Sequence, residues 1–164
     1  MKMMTRRLTA WAVLLFALTA LAGCSTEGTK DVWAEEGETV HTGLFDFTVS
    51  GVSVVESYGS LETEEGSRLV RMDLTVTNTS NEAYLMFSQD FQLQWGDGTE
   101  DFGTCLPAVD EEMTPYAYTL EPGESYESVM VAQIPEGADK LTIAYQEKLS
   151  SGEDGSAYFV EADL

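Results

Sequence analysis

The sequence predicts an all-β domain, an antiparallel β-sandwich of about seven to eight strands. Apolar and polar residues alternate with a period of two in successive short segments, which are rich in β-branched and aromatic residues. Clusters of Gly, Pro, Asn and Asp separate these segments, as turns require. With 164 residues, of which 43% are hydrophobic, the chain suits a single domain with a core of ordinary size.

Residues 1–23 have the composition of an export signal. They contain one lysine, two arginines and no acidic residue, and an apolar run extends over residues 8–20. This run is shorter than the ~20 residues that a membrane-spanning helix needs. We therefore expect residues 1–23 to be a signal peptide rather than a permanent membrane span.

The end of this segment, Leu21-Ala22-Gly23-Cys24, resembles the lipobox of bacterial lipoproteins. In that family the peptide bond between Gly23 and Cys24 is cut, and the Cys24 sulfur carries a diacylglyceryl group. The resemblance implies a protein anchored by lipid in the cell membrane and exposed on its extracytoplasmic face, because two acyl chains suffice for stable anchoring. The alternative is an ordinary secretory signal in which Cys24 is incidental.

Ser, Thr, Gly and acidic residues dominate the segment 24–38, which is broken mainly by Val32 and Trp33. This composition is typical of a flexible linker. We therefore expect the lipidated Cys24 and an acidic tether to occupy residues 24–38, with a reach of ~40 Å when extended. The β-sandwich is then expected over residues 39–164.

The strand pattern is clearest where Phe45, Phe47 and Val49 face one way and polar residues face the other. A turn at Ser50-Gly51 is expected to follow, and residues 147–164 are expected to add one further edge strand. The strands predicted from alternation are 45–49, 52–58, 70–76, 91–95, 125–132 and 141–145. No segment after the leader shows the spacing of an amphipathic helix.

The order of strand and turn motifs resembles a known family. The motifs are V-T-N-T-S, F-Q-L-Q-W-G-D-G, L-E-P-G-E and I-P-E-G. Together they resemble the domain of unknown function common in small Gram-positive lipoproteins, over roughly residues 38–146. The resemblance implies the immunoglobulin-like fold named for immunoprotective extracellular proteins. It implies no catalytic residues, because that family has none to transfer.

The charge excludes several classes of partner. The 29 acidic residues outnumber the 8 basic ones, so the net charge is -21, and it becomes -24 once the three basic residues of the leader are removed. Nucleic acid is excluded because contact with phosphates needs a surplus of cationic side chains. An envelope or surface protein with a basic face is a compatible partner. The sequence carries no signal of an oligomeric state.

Catalytic residues are not evident in the sequence. His41 is the sole histidine, Cys105 is the sole cysteine besides Cys24, and no serine lies in a G-x-S-x-G elbow. We expect His41 to be a solvated strand-end residue and Cys105 to be a buried structural residue, and hence a protein that is not an enzyme. A hydrolase of envelope polymers is the alternative, although no signature pairs the two carboxylates that it needs.

Carboxylates are dense in two loops, and oxygen ligands of this kind suit Ca²⁺. They are Asp97, Glu100 and Asp101 in the first loop and Asp110, Glu111 and Glu112 in the second. The first loop lacks the twelve-residue Ca²⁺ pattern and its closing bidentate glutamate. Two interpretations remain, a tight hairpin with solvated acids at its tip and a Ca²⁺-responsive module. No other cofactor is indicated.

Aromatic residues offer one further kind of binding surface. A platform for sugars or peptides is conceivable from Trp95, Tyr116, Tyr118, Tyr126 and Tyr58. Alternating aromatic residues are equally typical of a sandwich core or of cross-strand pairs, which we favour. The sequence thus predicts a lipid-anchored β-sandwich with a non-enzymatic binding or interaction role at the cell surface.

Overall fold

The computed structural model of the chain describes residues 29–164, so the signal peptide, Gly23 and Cys24 lie outside the described residues. The described part is built almost entirely of strands, and none of its helical segments is long and apolar enough to cross a membrane. One turn of 3-10 helix, Ser88–Asp90, is present. The strands are β1 (Asp31–Glu35), β2 (Thr39–His41), β3 (Phe45–Val55), β4 (Ser57–Tyr58), β5 (Leu61–Glu62), β6 (Ser67–Asn78), β7 (Tyr84–Phe87), β8 (Phe91–Gln94), β9 (Phe102–Thr104), β10 (Ala117–Leu120), β11 (Ser125–Pro135), β12 (Lys140–Lys148) and β13 (Asp154–Asp163).

Two sheets form a β-sandwich, as the strand pattern predicts. The five-stranded sheet has the order β1-β13-β12-β8-β9, and the four-stranded sheet has the order β11-β6-β3-β2. All neighbours in both sheets are antiparallel except β1 and β13, which are parallel. The remaining strands form two small pairs, β7 with β10 and β4 with β5.

The core lies between the two sheets and is rich in aromatic rings. Phe45 and Phe47 project from β3, and their neighbours across the core come from the five-stranded sheet. The ring centroids of Phe47 and Phe91 are 5.2 Å apart, and those of Phe45 and Tyr145 are 4.7 Å apart, both edge to face. Edge-to-face contacts of this kind add to the stabilisation that burial alone provides.

The outer face of the four-stranded sheet is covered in part. Leu69, Val129 and Val131 point away from the main core and pack against Met113 in a second, smaller cluster. The segment that precedes β10 supplies Met113, which bridges to Val129. The sheet is therefore buried on both faces around β11, where every residue from 128 to 132 is buried, whereas β2 at the opposite edge has an exposed outer face.

The N-terminal strand corrects the expected extent of the tether. Asp31–Glu35, which the composition assigns to a linker, form β1 and pair with residues 157–161 of β13. The tether interpretation is thus wrong for residues 31–35, because a partner strand far along the chain orders this polar segment. The expected edge strand in residues 147–164 is β13, which lies between β12 and β1 rather than at an edge.

The expected turn at Ser50-Gly51 is a β-bulge within one continuous strand. β3 extends over Phe45–Val55, and its register to β6 shifts between Ser50 and Ser53. Gly51 has φ +61°, and a Cβ there would lie 2.6 Å from Asp73 Oδ2. The bulge needs glycine because of this positive φ, and beyond it Val52 packs against the core.

A buried asparagine closes β6. The Asn78 side chain has no exposed surface, and its Nδ2 donates hydrogen bonds to the carbonyl oxygens of Glu82, at 2.8 Å, and Leu120, at 2.9 Å. Its Oδ1 accepts from the backbone N–H and the hydroxyl of Ser80. One side chain therefore joins the end of β6, the turn that follows it and the end of β10.

Candidate functional site

The outward face of the five-stranded sheet is partly or fully exposed along β8, β12 and β13. In β12 and β13 every second residue faces the core, so residues such as Ala144 and Phe159 face outward. Gln92 and Gln94 of β8 do the same and are exposed. On the four-stranded sheet, by comparison, Met113 covers the outer face around Val129 and Val131.

Aromatic side chains border this face on both sides. Trp33 of β1 pairs with Phe159 of β13, and their rings are stacked with centroids 4.4 Å apart and planes at 18°. Across the sheet, Phe102 of β9 pairs with Gln94. Trp33 and Phe102 are each 57% exposed, an unusual exposure for residues of this size, and therefore mark a surface suited to contact.

A groove runs over this face along β12. Its central part has a volume of about 580 Å³ and is lined by Phe159, Ala144, Phe102 and the amides of β8. Three strand spacings, roughly 14 Å, separate β13 from β9, and the small side chain of Ala144 leaves the floor low between them. We call this surface, comprising Trp33, Phe159, Ala144, Gln92, Gln94 and Phe102, the aromatic groove.

The aromatic groove continues beyond its central part in both directions. A cavity of about 340 Å³ extends it past Thr142 to Lys140, and one of about 280 Å³ extends it past Gln146 to Lys148. The central volume shares lining residues with each of the other two, so the three lie next to one another along β12. From residue 142 to residue 148 a strand rises roughly 20 Å, which suits a polymer better than a small molecule.

The polar groups in the groove are the amides of β8 and Asp97 at the centre, and carboxylates at both ends. Gln92 forms no side-chain hydrogen bond within residues 29–164, whereas Gln94 Nε2 donates to the Gly96 carbonyl at 2.9 Å. Asp139 and Glu161 line the end near Thr142, together with Lys140. Since the whole chain carries a net charge of -21, the groove offers uncharged hydrogen-bonding groups within an acidic surface.

A glycine fixes the strand that carries Phe102. Gly103 of β9 lies opposite Leu93, and a Cβ on it would be 2.9 Å from Cη2 of the Trp95 ring. A rigid indole ring cannot yield as a flexible side chain does, so any larger residue would displace β9. Close packing of Trp95 on Gly103 therefore positions Phe102 at the rim of the groove.

The carboxylates proposed for Ca²⁺ are not brought together. Within residues 29–164, no group of three or more His, Cys, Asp or Glu side chains is arranged to hold a metal ion. Asp101 Oδ2 accepts a hydrogen bond from the Gly98 N–H at 2.8 Å and closes the β8–β9 turn. Asp97 and Glu100 belong to the same turn. The first acidic loop thus forms a tight hairpin between β8 and β9, and Ca²⁺ binding there stays a prediction.

A carboxylate of the second acidic loop likewise accepts hydrogen bonds from the backbone of its own loop. Asp110 Oδ1 accepts from the backbone N–H groups of Glu112 and Met113, both at 3.1 Å. Glu112 accepts from the Tyr58 hydroxyl at 3.5 Å, and Glu111 is exposed. The pKa of Tyr58 is raised by partial burial and by the charges of these acids. This loop borders the four-stranded sheet, whereas residues 97–101 belong to the other sheet.

The two candidate catalytic residues, His41 and Cys105, lie in different environments. His41 is 74% exposed on β2, and its Nδ1 lies 2.9 Å from Asp46 Oδ2 on the neighbouring strand. Cys105 is buried, and its thiol donates to the Ser88 carbonyl at 3.7 Å. Burial raises the Cys105 pKa, so the thiol stays protonated and is a poor nucleophile.

The expected aromatic platform does not form as one surface. Tyr118 and Tyr126 stack on each other at 4.7 Å and pack against the core, as the favoured core interpretation predicts. Tyr116 is 68% exposed but packs on Phe87, away from the groove. The aromatic residues that border the groove, Trp33, Phe102 and Phe159, were not among the candidates. The apolar run 158–160 was the available signal, because consecutive apolar residues place one on each face of a strand.

Solved structures with the same fold come from several bacteria. YcdA of Bacillus subtilis, provisionally assigned as a lipoprotein, has a TM-score of 0.61 at 16% identity, and the match covers 78% of this chain but 38% of YcdA. YjhA of Bacillus subtilis has a TM-score of 0.59 at 22% identity, covering 77% of this chain and 97% of YjhA. The secreted protein MPT63 of Mycobacterium tuberculosis has a TM-score of 0.58 at 12% identity, covering 78% and 96%.

Sequence comparison identifies the family. None of the curated proteins matches the chain in sequence. Residues 34–155, which extend from the end of β1 to the start of β13, match the domain of unknown function DUF4352. This match includes the whole four-stranded sheet and strands β8, β9 and β12 of the five-stranded sheet, and it spans most of the chain. The protein therefore belongs to the DUF4352 family.

Proposed function

We propose that this protein is a lipid-anchored, extracytoplasmic binding module that holds an envelope component in the aromatic groove. The observation that carries the proposal is the open groove on the five-stranded sheet, with exposed Trp33 and Phe102 at its borders. Exposed aromatic side chains are enriched at binding surfaces. Each buries a large apolar area when a ligand binds, and it loses little conformational entropy because it has few rotatable bonds.

The proposed location rests on the leader and on Cys24. A basic segment, a short apolar run and Leu21-Ala22-Gly23-Cys24 together match a lipoprotein signal. Proteins with the same fold include the secreted MPT63 and YcdA, which agrees with an extracytoplasmic location. A non-enzymatic role is favoured because His41 is solvated at a sheet edge and Cys105 is a buried, protonated thiol.

Replacement of Cys24 by serine is expected to abolish lipid attachment. Cells that express the full-length chain would be grown with an alkyne-tagged fatty acid, and the label on the purified protein would be measured. We expect strong labelling of the natural chain and none of Cys24→Ser, since a hydroxyl does not replace the thiolate in thioether formation. Cys105→Ser is the matched control and should retain the label. Labelling of Cys24→Ser, or none of the natural chain, would contradict the proposed anchor.

Removal of Phe102 is expected to weaken binding to the cell envelope. The soluble chain from Ser25 to Leu164 contains every described strand and would be sedimented with isolated Gram-positive envelopes. Phe102→Ala and Trp33→Ala should each reduce the bound fraction about tenfold, in line with loss of an aromatic anchor. Tyr116→Ala removes an equally exposed aromatic outside the groove and should bind like the natural chain. Equal binding by all four proteins would refute a role for the groove.

A further inference from the structure

We infer that the aromatic groove binds a neutral glycan chain, an inference that rests on the proposed binding function. The faces of sugar rings carry C–H groups, so they pack on flat aromatic surfaces. This packing removes apolar area of both partners from contact with water. Trp33 stacks one face on Phe159, and with 57% of its surface exposed it keeps area for a ligand. Phe102 supplies a second exposed aromatic surface on the opposite border.

The polar groups of the groove match hydroxyl groups. A carboxamide both donates and accepts hydrogen bonds, and a sugar hydroxyl does the same, whereas a carboxylate only accepts and an ammonium only donates. Gln92 and Gln94 place two such carboxamides on the floor beside Ala144. Gln92 has no side-chain partner within residues 29–164, so a ligand gains its hydrogen bonds without displacing an internal one.

Charge selects a neutral glycan over an anionic one. Asp97 lines the central part of the groove, Asp139 and Glu161 line one end beside Lys140, and Asp90 lines the other end, so carboxylates outnumber cations along it. Lys148 at the other end is paired with Asp154, so its charge is already compensated. An anionic polymer would meet this field within a Debye length, and the cost would be largest at low salt. An uncharged polymer meets no such cost.

The placement on a sheet face disfavours a peptide strand. Peptides that extend a sheet bind at its edge, where unpaired backbone N–H and C=O groups supply most of the affinity. The strands that form the floor, β8 and β12, have both neighbours paired, so the groove offers side chains only. An extended ligand recognised through side chains alone, over roughly 20 Å, fits a glycan chain of several sugar units.

The test titrates the soluble chain, Ser25 to Leu164, with the tetrasaccharides of N-acetylglucosamine and of β-1,4-linked glucose. Calorimetry would measure affinity, and fluorescence would report on Trp33 and Trp95, the two tryptophans of residues 25–164, both of which line the groove. We expect saturable binding of at least one tetrasaccharide, a fluorescence change that Trp33→Phe reduces, and an affinity that is insensitive to salt. An anionic galacturonate tetrasaccharide should bind more weakly at low salt than at high salt.

Variants locate the site on the groove. Phe102→Ala should weaken the binding of the tetrasaccharide about tenfold, and Gln92→Leu, which keeps the bulk but removes the amide, should weaken it about fivefold. Tyr116→Ala should leave the affinity unchanged, and thermal melting of each variant confirms that the fold persists. Binding of neither neutral tetrasaccharide, or binding that survives Phe102→Ala, would overturn the inference.

A basic peptide is the competing ligand, and tetralysine tests for it. Tight, salt-sensitive binding of tetralysine without binding of either neutral tetrasaccharide would replace a glycan with a cationic partner and overturn the inference. The proposed function has a separate fate. If Phe102→Ala still reduces binding to envelopes while no glycan binds, the groove remains a binding surface and only the ligand class is wrong.

Discussion

Replacing Phe47 by alanine is expected to lower the free energy of unfolding by about 3–5 kcal/mol. Phe47 is 1% exposed and lies at the centre of the core, in contact with the rings of Phe91 and Tyr145. Removing its ring loses the apolar burial and the edge-to-face contacts, and leaves a cavity that rigid neighbouring strands cannot fill. The total free energy of unfolding of a domain of this size is about 5–15 kcal/mol, so a loss of this size should bring the variant close to unfolding.

Urea denaturation followed by circular dichroism measures this effect. The urea concentration at the midpoint should fall sharply, while the dependence of the free energy of unfolding on urea concentration stays that of the natural chain. If Phe47→Ala does not fold, Phe47→Leu provides a folded variant with a smaller loss of stability. Val54→Ala is the control on the same strand, because Val54 is exposed, and it should cost well under about 1 kcal/mol. A loss below about 1 kcal/mol for Phe47→Ala would show that the core is not packed as described.

Replacing Asn78 by alanine is expected to cost about 3 kcal/mol. The variant removes four side-chain hydrogen bonds and leaves the Leu120 carbonyl without its buried partner. Asn78→Asp keeps the shape but faces two carbonyl oxygens with a carboxylate instead of an amide donor, so it should be at least as destabilising at neutral pH. Lower pH should partly rescue it, because protonation removes the buried charge and restores one donor.

The turn that contains Asn78 supplies its own control. Asn81 is exposed, so Asn81→Ala should change the free energy of unfolding by less than about 0.5 kcal/mol. Thermal and urea denaturation of the three variants would be compared with the natural chain. Equal losses for Asn78→Ala and Asn81→Ala would mean that the buried hydrogen bonds of Asn78 contribute nothing specific.

Local alternation was sufficient to predict most of the two large sheets. The sequence predicts β6, β11 and β12 directly, because each of these strands has one largely apolar face that packs on the core. β1 was missed because an acidic five-residue segment has little strand propensity of its own and gains order from pairing with β13. Such long-range pairing leaves no local signal, and the same holds for the short strand β7, which pairs with the distant β10.

The candidate site was less predictable than the fold. Trp33, Phe102 and Phe159 come from three separate segments, and only the strand order β1-β13-β12-β8-β9 brings them onto one face. The acidic loops were visible in the sequence, but their carboxylates cap backbone N–H groups within their own turns, as with Asp101 and Asp110. Short-range hydrogen bonding of this kind competes with any metal site, and composition cannot distinguish the two.

The position of β1 has a mechanical consequence if Cys24 is the anchor, as proposed. Six residues, 25–30, would then separate the anchor from β1, and six residues span at most about 20 Å rather than the ~40 Å expected from composition. A pull between the membrane and a ligand in the groove would act on the β1–β13 hydrogen bonds. Since β1 carries Trp33, separation of this strand from β13 would remove one border of the groove, and tension would then weaken the proposed binding.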